Sequence, residues 1–177
     1  MNRNDIKTKI GEYFFTNPTV KLRVRQIERE LKSPLPSVIR YCKELEKERL
    51  LKIESLANIK VYSADRTSKI FLLEKRLFNI RTLCNSGAID FLREEYSNPV
   101  IVLFGSFSKG EDVENSDIDL YIETPKRQEF NLKKIEKKLN RKIQVFNYKN
   151  IREVSNPHLA NNILNGIPLN NFIEVFT

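Results

Sequence analysis

The chain has no tryptophan, one histidine, two cysteines, one methionine and five glycines in 177 residues. Each scarcity removes a class of chemistry. A single histidine, His158, excludes the usual histidine-rich metal sites and makes Ser-His or Cys-His catalysis a poor expectation. Cys42 and Cys84 cannot form a disulfide framework or fill a four-ligand zinc site. Long hydrophobic runs are also missing: the longest strongly apolar stretch, Val100 to Phe104, is far too short to span a bilayer. The amino-terminal Met1-Asn2-Arg3-Asn4-Asp5-Ile6-Lys7 lacks the apolar segment of a signal peptide. These absences lead us to expect a soluble protein of a reducing cytoplasm with no membrane partner. What is present suits a folded chain, with 40% hydrophobic and 31% charged residues. Its length fits one large domain or two small ones. Lys and Arg number 31 against 23 Asp and Glu, a net of +8, which makes nucleic acid or nucleotides plausible partners without proving either.

The first third reads as three short helices and a hairpin. Ile6, Ile10, Tyr13 and Phe14 recur at helical spacing up to the break at Asn17-Pro18-Thr19. Val24, Ile27 and Leu31 form a second stripe, stopped by Ser33-Pro34-Leu35-Pro36. From about Ser37 a third helix is expected to bury Val38, Ile39, Tyr41, Cys42, Leu45 and Leu50 and to leave Arg40, Lys43, Glu44 and Lys47 in solvent. Period-two alternation in Leu51 to Glu54 and Ile59 to Tyr62, around Ser55 to Asn58, predicts two paired strands. This order, carried by the runs Val24 to Leu31 and Ser37 to Leu51, resembles a winged helix-turn-helix domain over residues 1–65. The resemblance implies a third helix able to enter a DNA major groove, with Ser37, Arg40 and Lys43 as its candidate contacts. Residues 1–65 hold 14 Lys and Arg against 9 Asp and Glu, a net of +5. That favours nucleic acid only mildly, because Glu44, Glu46 and Glu48 share the helix; a dimerisation or packing module is the other reading of the same pattern.

Residues 67–96 form a connecting helical segment. Ile70, Leu73, Leu77, Ile80 and Leu83, then Ile89, Phe91 and Leu92, suit one long helix or two broken near Asn85-Ser86-Gly87. Lys126 to Lys149 is locally basic, as a solvated face commonly is.

The chemically informative stretch is Asn98-Pro99-Val100-Ile101-Val102-Leu103-Phe104-Gly105-Ser106-Phe107-Ser108-Lys109-Gly110, continuing through Asn115-Ser116-Asp117-Ile118-Asp119-Leu120-Tyr121-Ile122. A continuous apolar strand runs into a Gly-Ser step and a short helix. Glycine admits a phosphate close to the backbone, serine offers a hydroxyl donor, and the amides that follow attract negative charge. Gly105 and Ser106 therefore read as a phosphate cradle, to which Lys109 adds charge unless it is simply solvated. After ten intervening residues comes Asp117-Ile118-Asp119. Alternate positions of a strand share a face with alpha carbons about 6.6 Å apart. Both carboxylates can thus converge on one divalent ion while Ile118, Leu120 and Ile122 turn into the core. Two such acids repel each other, and Mg²⁺, which favours carboxylates completed by water and phosphate, relieves the repulsion. No Walker loop is present.

Apolar strand, Gly105-Ser106, Gly110, Ser116 and Asp117-x-Asp119 together resemble the minimal nucleotidyltransferases of the DNA polymerase beta superfamily, over about residues 67–175. The resemblance implies an α+β fold whose domain 66–177 has a mixed sheet with helices mainly on one face. It also implies a nucleoside triphosphate such as ATP held by Gly105, Ser106 and Lys109, and Mg²⁺ held by the catalytic Asp117 and Asp119. The family usually carries a third carboxylate on a later strand; here Arg141 to Tyr148 should be that strand, with neutral Gln144 at the position, while Glu123 lies on Asp119's face near its strand's end. The tail predicts a helix from Pro157 to just before Gly166, with His158 a surface residue and Phe172 and Phe176 in the core.

The expected function is metal-dependent transfer of a nucleoside monophosphate from a triphosphate to a hydroxyl, recruited or regulated through the DNA-binding winged helix. By resemblance the acceptor can be a protein, as for antitoxins that modify a toxin partner. The alternative is a DNA-binding transcriptional regulator or antitoxin whose second domain binds nucleotide but catalyses little. A homodimer is a further expectation, as winged-helix proteins commonly pair.

Overall fold

A computed structural model describes residues 3–57, 59–126 and 131–176. Asn58, the last residue of the expected hairpin turn, and positions 127–130 of the basic run lie outside the described residues. The chain forms two compact units, Met1–Phe78 and Asn79–Thr177. Their boundary falls inside a helix, later in the chain than the 65/66 division drawn from the sequence.

In the first unit the order is α1 (Arg3–Thr16), β1 (Lys21–Leu22), α2 (Val24–Leu31), α3 (Leu35–Lys47), β2 (Leu51–Leu56) and β3 (Ile59–Ala64). The strands form an antiparallel sheet in the order β1-β3-β2. Two residues of β1 were too short a run to show period-two alternation. Ile10, Phe14, Ile27, Val38 and Cys42 are fully buried at the centre of the core. Helix α3 starts at Leu35, two residues before the expected Ser37, because Pro36 in its first turn needs no N–H partner there and arrives with a helical φ. Its buried face is Val38, Tyr41, Cys42 and Leu45. Ile39, expected inside, is exposed, since it lies off the face defined by positions 38, 41, 42 and 45.

Helix α4 (Lys69–Asn85) carries the unit boundary between Phe78 and Asn79. Apolar spacing alone does not mark its buried face. Ile70, Leu73 and Leu77 are exposed, whereas Phe71, Lys75, Asn79 and Leu83 are buried. The helix has two stripes, and the buried one contains a lysine and an asparagine that hide it from a reading of apolar spacing. Lys75 Nζ donates to the Phe15 carbonyl at 2.6 Å. That carbonyl is in the last turn of α1, where helix oxygens have no partner of their own and a cation is favoured. The break after Asn85 is chemical: Ser86 Oγ donates to the Leu83 carbonyl and accepts from the Ala88 N–H, and Gly87 takes a φ of 85°. Helix α5 (Ala88–Glu95) follows.

The second unit has a mixed four-stranded sheet of β4 (Val100–Phe104), β5 (Ile118–Glu123), β6 (Ile143–Tyr148) and β7 (Ile167–Asn170), ordered β6-β5-β4-β7. β5 and β6 are parallel and are joined by α7 (Lys133–Leu139); β4 is antiparallel to both its neighbours. Strand alternation divides the core. Ile101, Leu103, Ile118, Leu120 and Ile122 pack with residues of α5 and α7, and with Phe107 of α6 (Gly105–Lys109). Val102, Phe104 and Tyr121 pack with α8 (Pro157–Leu164) and the 3-10 turn Ile151–Glu153. Helices thus favour one face, but the other is covered too. Helix α8 begins as its sequence predicts, with Asn156 Oδ1 accepting from the His158 and Leu159 N–H groups ahead of Pro157 in the first turn. Phe172 and Phe176, expected in the core, are 69% and 95% exposed. They follow β7, which closes the sheet edge, and the residue of this tail that packs inward is Ile173.

Candidate active site

The site is built where β4 ends against β5. Apolar β4 leaves the core at Phe104 and turns at Gly105, whose φ of 73° belongs to the left-handed region. The turn has a steric reason. A Cβ at Gly105 would stand 2.1 Å from Asp119 Oδ2, so the carboxylate occupies the space that any side chain at 105 would need. Register supplies the approach, since Phe104 is the antiparallel partner of Asp119. The Gly-Ser bend and the second aspartate of Asp117-x-Asp119 therefore meet, as the spacing requires. Ser108 Oγ donates to the Gly105 carbonyl at 2.8 Å, and Gly110, at a φ of 75°, ends the single turn of α6. Ser106 is half-buried and Lys109 is exposed.

Asp117 is exposed and immediately precedes β5, while Asp119 is half-buried within it. Burial and then the neighbouring Asp117 charge raise the Asp119 pKa above its ordinary value. Among the described residues no group of three or more His, Cys, Asp or Glu is placed to hold a metal ion. The donor set is thus two carboxylates. It fits a hard, oxygen-seeking ion such as Mg²⁺, which retains water and takes its remaining ligands from a phosphate.

Gln144 is the parallel-strand partner of Asp119 across β5 and β6 and is exposed. A neutral amide thus stands in register with the half-buried acid, at the position where the family resemblance calls for a third carboxylate. Glu123 does not replace it. It lies four residues further along β5, about 13 Å by strand rise, and its Oε2 accepts from the Tyr121 hydroxyl at 2.7 Å. His158 is exposed at the start of α8.

The loop from Gly110 to Asp117 is held by a buried cluster that no motif spacing marks. Arg141, just before β6, pairs through Nη2 with Asp112 Oδ2 at 2.8 Å. Its Nη1 donates to the carbonyls of Val113 at 2.5 Å and Ser116 at 2.9 Å. The guanidinium carbon lies 5.5 Å from the Phe107 ring centre. Asn79 Nδ2 donates to Asp112 Oδ1 at 2.7 Å and to the Phe107 carbonyl at 2.9 Å. Asp112 has 0% side-chain exposure and Arg141 9%, so the pair is desolvated and hydrogen-bonded on several sides. Arg141 is a positioning residue, fixing both ends of the turn that delivers Asp117. An open cleft of about 600 Å³ beside it is lined by Ser116, Asp117, Glu136, Asn140, Arg141 and Lys142.

The candidate DNA contacts Ser37, Arg40 and Lys43 all lie on α3; Ser37 is half-buried and the other two are exposed. Arg40 Nε is 3.7 Å from Glu44 Oε1, and its guanidinium covers the Tyr41 ring at 4.3 Å. Lys7 pairs with Glu44 and Glu48. Of the two candidate cations on α3, Arg40 is thus partly compensated. No described helix is long and apolar enough to cross a membrane.

Residues 86–170 match the family model of the nucleotidyltransferase domain. The matched stretch runs from the break before α5 through β7 and includes all the site residues of the second unit except Asn79. No curated protein matches the chain, and neither does any solved structure.

Proposed function

We propose that the nucleotidyltransferase domain transfers a nucleoside monophosphate from a triphosphate such as ATP to a hydroxyl acceptor, the acceptor oxygen bonding to the α-phosphorus as the α–β phosphoanhydride bond breaks and pyrophosphate leaves. The observation that carries this reading is the Asp119 carboxylate lying against the side-chain-free face of Gly105, with Asp117 just ahead of it. Gly105 and Ser106 accommodate the triphosphate, the serine hydroxyl and backbone amides donating to phosphate oxygens, and Lys109 contributes charge from its exposed position. Asp117 and Asp119 would hold Mg²⁺. When bound, the ion supplies charge neutralisation at the phosphates. Arg141 keeps Asp117 in place throughout, because its own charge is satisfied by Asp112. Gln144 cannot accept a proton, so it gives no general-base assistance to the attacking hydroxyl, an effect commonly worth about 10²–10⁴-fold.

That last point supports a second reading, a DNA-binding regulator or antitoxin whose second unit binds nucleotide and reacts slowly. Three helices and a small antiparallel sheet support a winged-helix role for the first unit, with Ser37, Arg40 and Lys43 toward DNA. A protein hydroxyl, including one on a toxin partner, is the acceptor we favour testing first.

The full chain should be incubated with MgCl₂, α-labelled triphosphates and cell extract. Label transferred by wild type and lost in Asp117→Asn and Asp119→Asn supports the enzyme; nucleotide binding without transfer selects the regulator. Gln144→Asp should raise the transfer rate about a hundredfold or more if the missing carboxylate limits it. An unchanged rate would discard that explanation.

A further inference from the structure

A second group of exposed cationic side chains on the first unit lies away from α3. A cleft of about 550 Å³ is lined by Lys21 of β1, Arg23 ahead of α2, Arg25, Gln26 and Arg29 of α2, and Ile59 and Val61 of β3. All four cationic residues are exposed. Lys21 is bonded to Glu54, but among the described residues no acid pairs with Arg23, Arg25 or Arg29. On α3, Arg40 has Glu44 beside it. Like charges converging on a concave surface reinforce one another's potential, and guanidinium forks match phosphate oxygens two at a time. Arg25 and Arg29 stand about 6 Å apart along one helical turn.

We propose that the cleft between β1, α2 and β3 docks the phosphodiester backbone of duplex DNA, so that α2 anchors the unit electrostatically and α3 adds less. This rests on reading the first unit as a DNA binder. Duplex is favoured over single-stranded nucleic acid because the cleft has no aromatic side chain on which bases could stack. Ile59 and Val61 give it an apolar floor, which a sugar edge tolerates.

The test is fluorescence anisotropy of the full chain with a random-sequence 30-bp DNA duplex across a salt series. Each phosphate contact contributes a slope of about −0.9 in log K against log salt, so Arg23→Gln/Arg25→Gln/Arg29→Gln should flatten the dependence by about 2.7. The matching triple lysine variant should retain most of the slope, which separates lost charge from lost fold. Arg40→Gln/Lys43→Gln should flatten it by less than about 1.8, the value for two full phosphate contacts. An unchanged slope in the triple glutamine variant overturns the cleft while leaving DNA binding itself intact. Failure of the wild type to bind duplex DNA at low salt removes the DNA-binding reading and this inference with it. Tighter binding of duplex RNA or single-stranded DNA than of duplex DNA overturns the assigned occupant.

Discussion

Replacing Arg141 by methionine tests how the Gly110–Asp117 loop is held. Methionine keeps most of the apolar stem beside Phe107 but removes the ion pair to Asp112 and both donors to the Val113 and Ser116 carbonyls. Asp112, with 0% side-chain exposure, then keeps a buried charge with the Asn79 amide beside it. Stranding one member of a buried ion pair costs about 3–5 kcal/mol. The loop can admit some water once the arginine is gone, so about 3 kcal/mol is the working figure, and with a urea slope near 1.5 kcal/mol/M the midpoint should fall by about 2 M. Far-UV circular dichroism through a urea titration measures it. The double variant Asp112→Leu/Arg141→Met should recover part of the loss, because no unpaired charge remains. A midpoint change in Arg141→Met equivalent to less than about 1 kcal/mol would refute the reasoning and make the cluster a surface-like contact.

Three further outcomes follow from other parts of the molecule. Gly105→Ala places a methyl group in the space of Asp119 Oδ2 and strains a left-handed backbone by about 1–2 kcal/mol. Displacing the carboxylate should lower initial transfer rates about a hundredfold while circular dichroism still reports a folded chain; a wild-type rate would count against the site. Hydrogen bonds from Lys21, Lys52 and Ser63 lower the Glu54 pKa from 4.5 to about 2. The bound form of this carboxylate is the charged one, so its stabilisation is complete above 4.5 and disappears as pH falls through about 2. Urea midpoints measured across that window should decline more steeply in wild type than in Glu54→Gln, and parallel curves would contradict the assignment. Finally, Cys42 is fully buried, with burial pushing its thiol up to about 12, whereas Cys84 is exposed. A thiol reagent should therefore titrate one cysteine in the native protein and both after denaturation; two fast thiols in the native state would disprove the packing around α3.

The parts of this molecule legible in the sequence are those governed by local rules. Gly105, the apolar run before it and Asp117-x-Asp119 announced a strand, a bend and a second strand, and the pairing of Phe104 with Asp119 joins them. The break at Asn85-Ser86-Gly87 was visible because a serine cap and a left-handed glycine are short-range devices. The buried face of α4 is not legible from apolar spacing because it carries Lys75 and Asn79, whose partners are the Phe15 carbonyl, the Phe107 carbonyl and Asp112. No window along the chain contains both ends of such bonds. Arg141 escaped notice for the same reason: its role exists only once β6 lies beside β5 and the Gly110–Asp117 turn folds over it.

The short strand β7 bears on solubility. It forms the outer margin of the four-stranded sheet and contains Pro168, opposite Val102, next to a register irregularity in its pairing with β4. Proline has no amide hydrogen to offer an incoming chain, and an irregular margin twists away from a flat template. The sheet therefore ends in a seam poorly suited to recruiting a further strand, which guards a lysine-rich but strongly apolar-cored unit against growing into aggregates from that side.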